Sequence, residues 1–470
     1  MSDDQGFTTP DPGTPPEGPT QPVIPPEVYV PGAPGAFVGA PGMPPAVVQL
    51  PRRRPLAYAA VIIGLLGLAG GAVFFARSVK TSSTTGAKTP EAAVQKVFDA
   101  LSNQDVVGVL EALAPGERAA FGSRLQTMAS ELGRLGVLKT NVNLSSLSGI
   151  DLSFSGLKYK TESLTSDLAQ VTLTEGRVAY RIDQSRVPLG DFVRGFAPKG
   201  SLDQVASGSS DIASGRDATA FTTVKVGDDW FVSLWYSVAE SARRDANAPL
   251  PNFGNGIPAV GADSPEAAVE QFLRAGATLD VRTLIELTPT DEAGALHDYA
   301  PLFIDDVEKA AADARHSFSL KISSLTASAR TSGDEAVVKV TKMAFKLSVP
   351  GIGLSVTSDG RCTTFEGGDF FGGPALPGAP AIPKRLCGDQ VTPGALFPGL
   401  HARPEIGFVA VERDGKWFVS PTRTILDAMI GIFKSLSRND LETFKQLFGA
   451  FTEGFPESGS GPFVIPTPAA

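Results

Sequence analysis

Two cysteines and three histidines in 470 residues are too few for a cysteine-rich zinc protein or a disulfide-held miniprotein. Basic residues are also short: 41 Lys and Arg stand against 50 Asp and Glu, a net charge of −9. With no basic stripe to track a phosphate backbone, nucleic acid is excluded as the expected partner. The sequence has no nucleophile elbow, zinc triad or phosphate loop, so no catalytic residue, metal site or cofactor is expected. Apolar residues are not scarce. A hydrophobic fraction of 42% can build real cores, and the length suits about three domains, or two plus segments that never fold.

Fifteen of the 38 prolines and seven glycines fall within residues 1–55, where no Lys or Arg precedes Arg52. Pro-rich, aperiodic sequence favours solvated polyproline II, so 1–55 is expected to be a disordered cytoplasmic tail. A flexible spacer is the plain reading. The sharper one makes Thr8, Thr9, Thr14 and Thr20 phosphorylation sites, since a phosphate adds about −1.5 to −2 charge for an Arg-lined cytoplasmic partner.

Residues 56–76 read LAYAAVIIGLLGLAGGAVFFA, without a charge. At ~1.5 Å per residue the run spans about 30 Å, the thickness of a hydrocarbon core. Leu56, Ile62, Leu65, Phe74 and Phe75 are the expected bilayer contacts. Arg52, Arg53 and Arg54 outnumber Arg77 and Lys80 across it, which puts the N-terminus in the cytoplasm and the rest outside the plasma membrane. The run is long for a signal peptide and no Ala-x-Ala site follows, so a single-pass signal anchor is expected. Gly67 and Gly71 form a small-xxx-small pair, a candidate homodimer face, although glycine is common in membrane helices anyway. In an oxidising compartment Cys362 and Cys387, 25 positions apart in a Gly/Pro-rich loop, would pair.

The most informative feature is a duplication. Thr89-Pro90-Glu91-Ala92-Ala93-Val94 returns as Ser264-Pro265-Glu266-Ala267-Ala268-Val269, and Asp105-Val106 as Asp280-Val281. Pro115 returns as Pro289, Gly190-Asp191-Phe192 as Gly368-Asp369-Phe370, and Trp230-Phe231-Val232-Ser233 as Trp417-Phe418-Val419-Ser420. Each copy opens with an N-cap and a first-turn proline, continues with a short Asp-led helix, then a third helical stretch at 119–135 and 292–314. The period then changes to two: strands are expected at 152–161, 167–183, 220–226 and 230–238, and at 318–327, 336–349, 406–412 and 417–420. Helices followed by a meandering sheet predict an α+β fold, with the helices on one sheet face. The organisation expected is a linker at 77–87, a first repeat at 88–245 and a second linker at 246–262. A second repeat with the cysteine loop follows at 263–430, then an amphipathic helix at 431–455 and a flexible end at 456–470.

The Pro-Glu-Ala-Ala-Val helix, the Asp-led second helix and the closing Asp-Gly-Lys-Trp-Phe-Val hairpin resemble the nuclear transport factor 2-like (cystatin-like α+β roll) superfamily. More narrowly they resemble its membrane-anchored, extracytoplasmic members in high-GC Gram-positive bacteria. The resemblance covers most of 88–240 and 263–430 and implies cone-shaped rolls. The stretch Pro198–Asp217 and the cysteine loop depart from it.

Enzymes of that superfamily place Asp, His or Tyr inside the cone. The first copy has no histidine; His297 and His316 sit in polar helical contexts and His401 in a loop, all three read as surface residues. Asp228 and Asp229 read as turn residues, Asp305 and Asp306 as a solvated helix face. Trp230, Phe231, Trp417 and Phe418 are either core or an aromatic binding face, with the two members of each pair on opposite sides of the sheet. The expectation is a non-catalytic envelope sensor or scaffold whose domains meet an envelope protein or cell-wall ligand. The alternative is a small-molecule carrier or enzyme that uses the cone.

Overall fold

The structure, a computed structural model, describes residues 86–197, 200–212, 218–350, 352–367, 384–387, 405 and 407–443. The expected tail, anchor, dimer face, phosphorylation sites, His401, the 368–370 repeat and the chain beyond 443 lie outside the described residues.

The first copy runs α1 (Pro90–Ser102), α2 (Val106–Glu111), α3 (Pro115–Arg134), β1 (Ile150–Ser163), β2 (Leu168–Asp183), α4 (Asp191–Phe196), β3 (Val205–Asp211), β4 (Ala220–Val226), β5 (Asp229–Ser233) and α5 (Leu234–Asp245). The second runs α6 (Pro265–Thr278), α7 (Val281–Glu286), α8 (Thr290–Tyr299), α9 (Ile304–Ala314), β6 (Ser319–Ser332), β7 (Glu335–Val349), β8 (Ile352–Ser358), β9 (Cys362–Glu366), β10 (Arg385–Cys387), β11 (Phe408–Arg413), β12 (Lys416–Val419) and α10 (Pro421–Ser435). The fold is mixed α+β with curled antiparallel sheets.

Local chemistry repeats with the sequence. Thr89 and Ser264 accept from the backbone N–H of Ala92 and Ala267, and Asp105 and Asp280 from those of Gly108 and Thr283. Each cap satisfies an N–H that the first helical turn leaves unpaired. At the β11–β12 turn Asp414 and Gly415 both have positive φ, 52° and 75°, which the two-residue hairpin demands.

Each sheet hangs on one long strand. β2 pairs β1 along one edge; along the other its first half pairs β4 and its second half β3. β7 does the same with β6, β11 and β8. Register shifts between Ser155 and Lys158 in β1, and between Ile322 and Ser324 in β6, mark bulges that curl the sheets. The concave face of the first packs Phe154, Val171, Leu173, Phe221, Trp230 and Val232 on Val94, Val97, Phe98 and Leu101 of α1. In the second, Ala336, Val338, Ala410, Trp417 and Val419 meet Ala268, Val269 and Phe272 of α6. Cys362 and Cys387 face each other on β9 and β10 and are disulfide-bonded.

Several expectations need correction. The strand expected over 230–238 ends at Ser233, whose hydroxyl accepts from Tyr236 N–H and starts α5. The bulky run Leu234-Trp235-Tyr236 looks strand-like, but the cap and the following Ala, Glu and Arg residues favour helix. α5 lies against β4, so the helices are not confined to one sheet face. Inside the stretch read as an insertion, β3 pairs with β2. The 246–262 segment is no free linker: Ile257, 3% exposed, packs with Ile285, Ala300 and Ile304. The third helix starts at Pro115, while its counterpart splits into α8 and α9 at a 3-10 turn that contains Pro301. Of the helix expected over 431–455, 431–435 belong to α10, which starts at Pro421, and 438–443 are helical after a break at 436–437; 444–455 lie outside the described residues.

Candidate functional site

The closing helices of the two copies exchange partners. α5, at the end of the first copy, packs on α8 of the second; α10, at the end of the second, packs on α3 of the first. Leu426 and Ile430 of α10 enter the core of Met128, Ala129, Leu132, Leu138 and Leu144. The apolar side of α10 formed by Leu426 and Ile430 is therefore buried on the first copy. α3 and α8 also touch directly. A Cβ on Gly116 would stand 2.1 Å from the Asp291 carbonyl oxygen, so only glycine allows the approach.

Within each copy a buried carboxylate fixes the start of the helix that is exchanged. Glu117 of α3, 3% exposed, accepts from the Ser233 hydroxyl at 2.6 Å and from the N–H groups of Leu234 at 2.8 Å and Trp235 at 3.1 Å. It thereby caps the start of α5, where the helix dipole favours negative charge. Glu292 of α8, 3% exposed, accepts from the Ser420 hydroxyl and, at 2.7 Å, from the Arg423 guanidinium at the start of α10. Burial pushes the pKa of both carboxyls up; the hydrogen bonds, and for Glu292 the charge of Arg423, oppose it.

The two halves of the seam then differ. On the α10 side, Arg124 of α3 donates to Glu335 of β7 at 2.5 Å and to Asp427 of α10 at 2.9 Å, and Arg423 donates to Glu335 at 2.6 Å. Burial works against ionisation of Glu335, but the two guanidiniums outweigh it and hold its carboxyl below the ordinary range. On the α5 side, Glu240 is buried between Gln170 of β2 at 3.1 Å, Tyr299 of α8 at 2.9 Å and Arg243 at 2.7 Å. Tyr236 donates to Asp298 at 2.5 Å, and burial together with Asp298 raises its pKa.

Beside these groups lie two clefts. One of ≈ 730 Å³ opens between α3, β7 and α10, floored by Arg124, Glu335, Arg423 and Asp427, with Lys339, Glu405 and Lys434 around it. The other, ≈ 350 Å³, lies between β1, β2 and α5 and is lined by Lys160, Glu162, Gln170, Glu240, Arg243 and Arg244.

Trp230 and Trp417 pack on the concave faces under α1 and α6. Phe231 and Phe418, 5% and 6% exposed, are buried on the other side, with Arg118 stacked 5.8 Å over the Phe231 ring. None of the four lines either cleft. His297 is no surface residue: 4% exposed, its ring lies 2.7 Å from the Ile257 carbonyl and 3.0 Å from that of Thr288. His316, Asp305 and Asp306 are exposed. Asp229 does more than turn the chain: it accepts from Lys88 and from Gly86 N–H. Among the described residues no group of three His, Cys, Asp or Glu could hold a metal ion. Glu117, Glu292, Arg124 and Arg423 were not singled out by sequence. The usable signal was that Glu117 and Glu292 stand 175 positions apart, the offset of Pro90 and Pro265.

Comparison with family models, with curated proteins and with solved structures finds no match to this chain.

Proposed function

We propose that the chain is a single-pass membrane protein whose extracytoplasmic part, a tandem of roll-like α+β units of the nuclear transport factor 2 kind, works as a non-catalytic envelope scaffold or sensor. The observation that carries this is the use made of the buried carboxylates. Glu117 and Glu292 each hold the closing helix of their own copy, and Glu240 reaches Tyr299 across the seam, whereas a general acid or base must face a reacting group. In the first unit the space between α1 and the sheet holds packed rings, Phe98 lying 4.7 Å from Phe154 and 5.6 Å from Phe221, a further argument against cone chemistry. Membrane attachment rests on the uncharged run 56–76. Among the described residues no helix is long and apolar enough to cross a membrane, and that run lies outside them. The disulfide suits an oxidising compartment.

The test is crosslinking of the full chain in its native membrane with identification of captured proteins, alongside protease treatment of intact cells. The reading expects alkali-resistant membrane association, protease access from outside to 77–470, and envelope proteins captured through that region. Release by alkali, or protection of 77–470 in intact cells, refutes it.

A further inference from the structure

The two clefts occupy matching places. Asp427, Ile430 and Gly431, which line the larger, each stand 187 positions after Glu240, Arg243 and Arg244, which line the smaller. That is the offset separating Ser233 from Ser420, the caps of the two exchanged helices. On the sheet side, register equates Ala169, opposite Thr223, with Ala336, opposite Ala410. Gln170 and Thr172 of the smaller cleft therefore match Val337 and Lys339 of the larger.

The pair also share an electrostatic character that the chain as a whole lacks. The larger cleft has Arg124, Lys339, Arg423 and Lys434 against Glu335, Glu405 and Asp427; the smaller has Lys160, Arg243 and Arg244 against Glu162 and Glu240. Each has one basic group in excess, in a chain of net charge −9. The deep groups satisfy one another, but three of the outer basic ones do not. Among the described residues the side chains of Lys434, Lys160 and Arg244 have no hydrogen-bond or ion-pair partner. Lys339 pairs with Glu405, whose side chain is 81% exposed, and such exposed pairs are weak and readily replaced. A concave polar site that offers unpaired ammonium and guanidinium groups above a committed floor suits an anion, since charge-assisted bonds to these donors are strong and need no rearrangement.

We propose that each cleft binds one anionic group, a carboxylate or a phosphate, so that the chain takes two acidic ligands at related sites. The volumes, ≈ 730 Å³ and ≈ 350 Å³, allow a bulkier ligand in the cleft that spans both copies. This inference does not depend on membrane attachment, and failure of the topology test leaves it standing.

The experiment is calorimetric titration of the full chain in detergent with glutarate and, separately, with inorganic phosphate. Two sites per chain are expected, weakened by added salt. Lys434→Glu should leave one site, and Lys160→Glu with Arg244→Glu should leave the other, each altered site losing at least about tenfold in affinity. All three substitutions together should abolish binding, with circular dichroism unchanged and melting only slightly lowered, since Lys434 and Arg244 sit in the last turns of α10 and α5, where positive charge is favoured. Stronger binding of glutarate assigns carboxylate ligands, and stronger binding of phosphate assigns phosphate ones. No saturable binding of either anion, or a stoichiometry indifferent to the substitutions, overturns the proposal.

Discussion

Arg124→Met tests whether the seam between the copies rests on its ion cluster. The methionine stem fills the space of the arginine stem and removes only the fork that bridges Glu335 and Asp427. Arg124 is 8% exposed at its side chain, and its partners 27% and 30%. Glu335 keeps Arg423 at 2.6 Å; Asp427 loses the guanidinium that holds it. Removing one member of a buried pair costs about 3–5 kcal/mol. Water can reach both carboxylates, which lowers the expectation to about 2–3 kcal/mol. For a folded region this long that corresponds to a fall in melting temperature of about 3–4 °C. The assay is thermal unfolding of the full chain by circular dichroism. Adding Asp427→Asn should recover part of the loss, because the stranded charge is gone, giving a coupling of about 1 kcal/mol. Arg124→Lys should recover little, since an ammonium cannot reproduce the planar fork. Unchanged melting of Arg124→Met, or full recovery by lysine, refutes the reasoning.

Gly116→Val should push α3 away from Asp291 and destabilise by about 3 kcal/mol, as severe overpacking does; limited proteolysis should then cut between the copies faster than in the parent. Reduction of Cys362–Cys387 should release about 3.5 kcal/mol of loop-closure restraint on the chain-entropy model, read as faster cleavage within 367–385 and a lower urea midpoint. Glu117 has a folded pKa above its ordinary 4.5. The folded state therefore binds its proton more tightly, and its contribution declines as pH rises from 4.5 through the folded value. Glu117→Gln should remove that part of the decline when urea midpoints are compared across the window. Glu335, whose carboxyl is lowered, works oppositely, so Glu335→Gln should cut the loss of stability seen as pH falls below 4.5.

The α+β character and most strands were legible because period-two alternation and capped helices are local signals: β4 falls at Ala220–Val226 as the pattern required. What failed was long-range. Whether 234–238 continues a strand or starts a helix is decided by Ser233 meeting Glu117, 116 positions away. Ile257 gives no linker-breaking signal of its own; it is buried because α7 and α9 offer it a pocket. The histidine at 297 looked polar by its neighbours along the helix, yet that helix turns it towards the 257 carbonyl. The seam was hidden for the same reason. Arg124, Glu335 and Asp427 lie up to 303 positions apart, and only their convergence marks them.

Exchange of the closing helices also frees the two halves from each other's history. In a homodimer every substitution appears on both sides of the axis, so a seam cannot be ionic on one side and phenolic on the other. Here Arg124 and Tyr299 stand at corresponding places, 175 positions apart, and answer to Asp427 and Glu240 respectively. Added salt screens the first contact more than the second. The two sides of the seam therefore answer differently to ionic strength, while the chain between them keeps the halves tethered.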